Sequence, residues 1–175
     1  KDDAVIPCIL SPLNQQQSVY NDGSEHAFLV FRGTLPGTED KSGGASIYRD
    51  LHYKGIGRVT YDAREADIKK MITDYLDKCE SNNVTIHLSG HSLGACDTQR
   101  VTTTLMELVA AADDNSPLKK LKNVVVTTFN APLVNQSVNK RLKKAVREIK
   151  NKNIDLNRVK VLINSGANVF EVYFD

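Results

Sequence analysis

The densest chemical signal in the chain is five residues long: Gly90-His91-Ser92-Leu93-Gly94, a G-x-S-x-G. With Gly and Ser at about 7% each in ordinary proteins, such a match arises by chance in roughly one chain of this length in twenty. The letters alone therefore decide little, and their surroundings carry the weight. VTIHLS, with Val84, Ile86 and Leu88 alternating, predicts a strand just before, and a helical pattern starts near Ser92–Gly94. A chain that reverses from strand to helix in so few residues strains the backbone at the serine, and the flanking glycines leave room for neighbouring chain. Such a turn presents the Ser92 hydroxyl at the carboxyl edge of a sheet, beside a helix N-terminus whose free N–H groups suit an oxyanion. The competing reading is a Gly/Ser turn with Ser92 as an ordinary N-cap.

The elements that must hold this turn follow from the pattern on either side. Ala27 to Arg32 (AFLVFR) is a short, nearly continuous apolar run, expected as a strand buried on both faces. Residues 33–58 hold six of the ten glycines and read as a long loop. Asp62 with Glu65 gives a capping-box-like start to a helix whose Ile68, Met71, Ile72, Tyr75, Leu76 and Cys79 repeat at three and four, and Asn82-Asn83 ends it. The helix after Ser92 carries Val101, Leu105, Leu108, Val109 and Ala112 on one stripe until ADDNSP (112–117) breaks it. NVVVTTF (123–129) is a third strand. A third helix has Val138, Leu142, Ala145, Val146 and Ile149 on one face and a Lys/Arg face opposite, read as solvated surface with an anionic partner or membrane as the alternative. Arg158 to Ile163 is a fourth strand, and Val169 to Phe174 a candidate fifth after the turn Ser165-Gly166-Ala167-Asn168. AVIPCIL near the N-terminus is an edge-strand candidate, since Pro7 excludes it from the sheet centre. This alternation predicts right-handed crossovers and a mainly parallel sheet with helices on both faces, in one domain spanning 1–175.

Composition narrows the function classes. Lys+Arg 23 against Asp+Glu 21 leaves +2, far from the basic balance of a nucleic-acid binder. No apolar run approaches the roughly 20 residues of a membrane span, and no leader with a cleavage site opens the chain, although it starts at Lys1. Cys8, Cys79 and Cys96 are an odd count without metal-ligand spacing, read as reduced thiols that favour a reducing compartment. Gly55-Ile56-Gly57 lacks the third glycine of a dinucleotide fingerprint, and no phosphate-loop motif or zinc pair occurs. No cofactor and no metal are expected, and the sequence leaves compartment and oligomeric state open.

Taken together, GHSLGA after VTIHLS resembles the elbow of the class 3 lipases, the fungal-lipase-like branch of the α/β-hydrolases. AFLVFRGT resembles that family's strand ending in F-R-G-T/S, with Asp50 in the following loop. TTFNAPLVN (127–135) resembles its F-G-x-P-x-V-G-N strand end. The resemblance spans roughly Ala27 to Val169. It implies an α/β-hydrolase-type fold with Ser92 as nucleophile, and the backbone N–H groups of Leu93 and Thr34 as oxyanion donors. His91 and Arg32 would be structural. It also implies a carboxylic, lipid-type ester as substrate, with no transmembrane segment and with peripheral membrane contact left open.

Two positions depart from the family pattern. The triad acid should stand in a G-D-x-V loop, where this chain reads Gly166-Ala167-Asn168-Val169, so Ala167 takes the acid's place and Asn168 is the nearest polar residue. An asparagine can orient a histidine but does not stabilise an imidazolium as a carboxylate does. The triad histidine should follow, yet His26, His52, His87 and His91 all precede Ser92, so no residue of this chain matches it. Asp97, just past the elbow, is also unusual. Two readings stay open: a domain truncated at its C-terminus, with the histidine beyond Asp175, or a lipase-like domain that lacks a complete triad and binds. A base from His52 in the long loop is a third route.

Overall fold

The computed structural model describes residues 9–10, 23–33, 58–131, 134–154 and 158–164. Five strands form one sheet in sequence order: β1 (Ile9–Leu10), β2 (Glu25–Phe31), β3 (Val84–His91), β4 (Leu121–Phe129) and β5 (Arg158–Asn164). β1 pairs antiparallel with β2, as AVIPCIL predicted at its last two residues, and every other pairing is parallel. The fold is α/β. The candidate strand 169–174 and the turn before it lie outside the described residues, as do Cys8 and positions 34–57 of the glycine-rich loop.

Alternation within the strands decides which side chains meet the helices. Ala27, Leu29 and Phe31 of β2 share a face with Ile86 and Leu88 of β3 and Val124 and Val126 of β4, all buried in one core. The opposite face carries His26, Phe28 and Val30 beside Thr85, His87 and Ser89, and Val30 is 56% exposed. That face is closed at His26 and Thr85 and open at Val30, so the doubly covered run expected of AFLVFR holds over part of the strand.

Five residues, Arg58–Asp62, form helix α1, and α2 (Glu65–Lys78) follows after two turn residues. Asp62 does not cap α2. It pairs with Arg58 four residues back at 3.2 Å, and α2 opens from Arg64 without a side-chain cap. The carboxylate is taken up by the shorter helix, so the expected box does not form. Ile68, Ile72 and Leu76 are buried along α2, four residues apart.

Helix α3 (Leu93–Ala111) is buried nearly all round, although the sequence predicts a single stripe. Three of its inner threonines are satisfied because the hydroxyl donates to the carbonyl four residues earlier: Thr98 to Gly94 at 2.8 Å, Thr102 to Thr98 at 2.8 Å and Thr103 to Gln99 at 3.0 Å. A 3-10 turn at Pro117–Lys120 leads into β4. Helix α4 (Gln136–Asn151) starts at Asn135, whose side chain accepts from Ser137 N–H, and buries Val138, Leu142, Ala145 and Ile149.

The described crossover helices occupy one face, with α3 packed between α2 and α4. Of the helices expected on both faces, the described residues supply those of one face. With strands laid down in the order β2-β3-β4-β5, every right-handed crossover steps the same way, so α2, α3 and α4 share one side. Among the described residues no helix is long and apolar enough to cross a membrane, and Cys79 and Cys96 are buried and outside any disulfide.

Candidate active site

Ser92 joins the end of β3 to the start of α3 with φ 53° and ψ −121°, a region that L-residues occupy only under constraint. The surroundings hold it there. Ser92 N–H donates to the Phe129 carbonyl at the end of β4 at 3.0 Å, and Ala95 N–H closes back on the Ser92 carbonyl at 2.9 Å. The glycines serve close packing. A Cβ on Gly94 would lie 2.2 Å from the Phe31 carbonyl oxygen, and one on Gly90 would lie 2.2 Å from the Gly94 carbonyl oxygen. At Gly33 the nearest atom would be the His91 carbonyl oxygen at 2.6 Å. Strand end β2, the turn and the first turn of α3 are therefore in backbone contact, which any side chain at these three positions would prise apart.

Leu93 and Gly94 open α3, so neither N–H has a carbonyl four residues back within the helix. Both sit at the positive end of the helix dipole, next to a half-buried Ser92. Leu93, the expected donor, is the first residue of α3 after Ser92. Thr34 lies outside the described residues, and its neighbour Gly33 packs on the His91 carbonyl. Arg32 is exposed. Ala167, Asn168 and His52 also lie outside the described residues.

His91 is exposed, and its Nε2 accepts from the Asn130 side-chain amide at 3.2 Å. Asn130 itself has φ 47° at the end of β4. The sequence held a signal for it: Asn130 stands in TTFNAP at the glycine place of the similar F-G-x-P, a place where positive φ is needed. Among the described residues no side chain hydrogen-bonds the Ser92 hydroxyl. His26 and His87 belong to another group. His26 Nδ1 lies 2.8 Å from His87 Nε2, His26 Nε2 lies 2.7 Å from Ser24 Oγ, and Phe28 stacks on His87 at 4.4 Å. His87 precedes Ser92 by five residues, about 16 Å along a strand. Period-two spacing of Ser24, His26 and Phe28 against Thr85 and His87 would have shown that these share a face.

Asp97 is half-buried on α3, where its charge acts on Arg100. Burial pulls the Arg100 guanidinium below its ordinary value, against the opposing pull of Cys96, Asp97 and Asp62.

No protein-family model, curated protein or solved structure matches the chain.

Proposed function

We propose that the chain is an α/β-hydrolase-type serine hydrolase, similar to class 3 lipases, that cleaves a carboxylic ester through an acyl-Ser92 intermediate. The observation that carries this reading is the Ser92 backbone: φ 53° and ψ −121° at a strand-to-helix turn with Gly90 and Gly94 in backbone contact. A serine that merely caps a helix sits in ordinary extended backbone and needs no such strain. In the reaction Ser92 Oγ attacks the ester carbonyl and gives its proton to a general base. The tetrahedral oxyanion takes N–H bonds from Leu93 and Thr34. The alcohol leaves with the proton returned, and water then releases the acid. A lipid ester as substrate rests on the resemblance of GHSLGA, AFLVFRGT and TTFNAPLVN to the family.

A second reading has its own observation. No described side chain hydrogen-bonds Ser92, as would hold in a domain that uses this sheet end for binding alone. Fluorophosphonate labelling of the protein at its natural length separates the two. Rapid labelling that Ser92→Ala abolishes supports the hydrolase. Labelling no faster than that of the Ser92→Ala control leaves the binding domain.

A further inference from the structure

Charge is very unevenly spread over this fold. Residues 136–152 hold seven of the 23 Lys and Arg and one of the 21 Asp and Glu, so the rest of the chain is net acidic by four. Helix α4 has already committed its apolar stripe to the core, since Val138, Leu142, Ala145 and Ile149 are buried. The cations take the other side. Lys140, Lys143, Lys144, Arg147 and Lys150 are exposed at spacings of three and four, a row of about 15 Å. Lys144 reaches Glu148 at 3.8 Å and still keeps its side chain 80% exposed. Lys140, Lys143 and Arg147 have no carboxylate partner among the described residues. Arg141 differs: its Nε and Nη2 donate to Glu107 of α3 at 2.8 and 2.6 Å, which fixes the helix so that the row is presented rigidly.

We propose that this row on α4 docks the protein on an anionic bilayer surface. A rigid, one-sided row of cations matches an extended sheet of negative headgroups. With no apolar residue left to insert, the contact is electrostatic, peripheral and reversible. Nucleic acid fits less well, because residues 136–152 contain no aromatic side chain for bases to stack on and the chain's pI is only 8.4. The choice of a lipid surface rests on the ester-lipid reading of Ser92. α4 begins a short way after the end of β4, the sheet end that carries Ser92.

Flotation with phosphatidylcholine vesicles, with and without one-third phosphatidylserine, tests this. Binding is expected only with phosphatidylserine. It should be lost as salt rises from about 0.1 M to about 1 M, where the Debye length shrinks from about 10 Å to 3 Å. Each cation near such a surface is worth about fivefold in affinity, so K140E/K143E/R147E should bind at least about 100-fold more weakly. K70E/K78E/K119E changes the net charge equally off α4 and should retain most of the binding. All six side chains are exposed, and thermal melting of each variant verifies its fold. Equal loss in both variants, or no phosphatidylserine dependence in the parent, overturns the proposal, as does tighter binding to a single-stranded RNA homopolymer at the same salt. Ser92→Ala should bind vesicles like the parent. Vesicle binding without fluorophosphonate labelling therefore retires the hydrolase and leaves the docking surface standing.

Discussion

At Ser92 the turn stores energy in one residue. A non-glycine residue at φ 53° and ψ −121° costs about 1–3 kcal/mol, and glycine at that position is free of it, at an unfolded-state cost of about 0.5–1 kcal/mol. Ser92→Gly should therefore stabilise the chain by roughly 0.5–2 kcal/mol relative to Ser92→Ala and raise the unfolding midpoint by about 2–6 °C. A glycine variant less stable than the alanine variant would show that the strain is absent. Cys79 gives a second test at this scale. Burial, and then the hydrogen bond its thiol donates to Glu25 at 3.3 Å, push the thiol up to about 11. In the unfolded chain the thiol ionises near pH 8.5. Below that pH it is neutral in both states and its contribution is fully present. As pH rises toward 11 the unfolded chain loses the proton first, and native stability falls. Tyr61 and Tyr75, also raised by burial, add slope of the same sign, so the contribution of Cys79 is the difference from Cys79→Ala. Urea midpoints measured from pH 8 to pH 11 should fall more steeply in the parent, and parallel curves would remove the effect.

Between elements, α1, α2 and α3 meet in a polar joint inside the core. Tyr61 of α1 donates to Thr104 Oγ1 on α3 at 2.7 Å, and Thr104 passes its own proton to Glu65 of α2 at 3.2 Å. Burial opposes a charged Glu65, but Lys69, Thr104 and Arg141 outweigh it and hold its carboxyl below the usual range. Thr104→Val strands the buried Tyr61 hydroxyl and should cost about 1–3 kcal/mol. Tyr61→Phe/Thr104→Val removes both partners and should be more stable than Thr104→Val alone. A double variant as costly as the sum of the singles would mean that the two hydroxyls are not coupled. This joint was illegible in the sequence, and the reason is physical. Thr104 is satisfied indoors by side chains 39 and 43 residues away in sequence, while a search for amphipathic stripes assigns a threonine to solvent. What the sequence did show was local. The Ser92 turn was legible because alternation, the glycine positions and the following helix all fall within about fifteen residues. The α2 and α4 core faces were legible from spacings of three and four. Asp62 was misassigned because one carboxylate can serve either of two adjacent helices.

For the whole molecule, strand order was beyond reach, because alternating strands and helices are compatible with several orders and each decides which face the helices cover. The observed order places the ends of β2, β3 and β4 side by side, so Gly33, Ser92 and Asn130 share one sheet edge. The helices stabilise that edge from one face. Among the described residues no side chain serves Ser92 as a base. His91 Nε2 pairs with the Asn130 side chain, and His26 and His87 pair with each other far down the strands. Without a base Ser92 stays a neutral hydroxyl, and only the oxyanion donors and substrate positioning lower the barrier. Such remnants give roughly 10³–10⁴ over water, far below an intact triad. The 175 residues alone should therefore hydrolyse a short-chain nitrophenyl ester little faster than their Ser92→Ala variant. Added imidazole, a diffusible base of suitable pKa, should raise the Ser92-dependent part of the rate, since it supplies the one absent function while leaving Leu93 and the turn unchanged. His52→Ala should change neither rate. Fast turnover by the unsupplemented chain, lost in both Ser92→Ala and His52→Ala, would instead make His52 the base. Imidazole that accelerates the Ser92→Ala variant equally would mean that the hydroxyl takes no part.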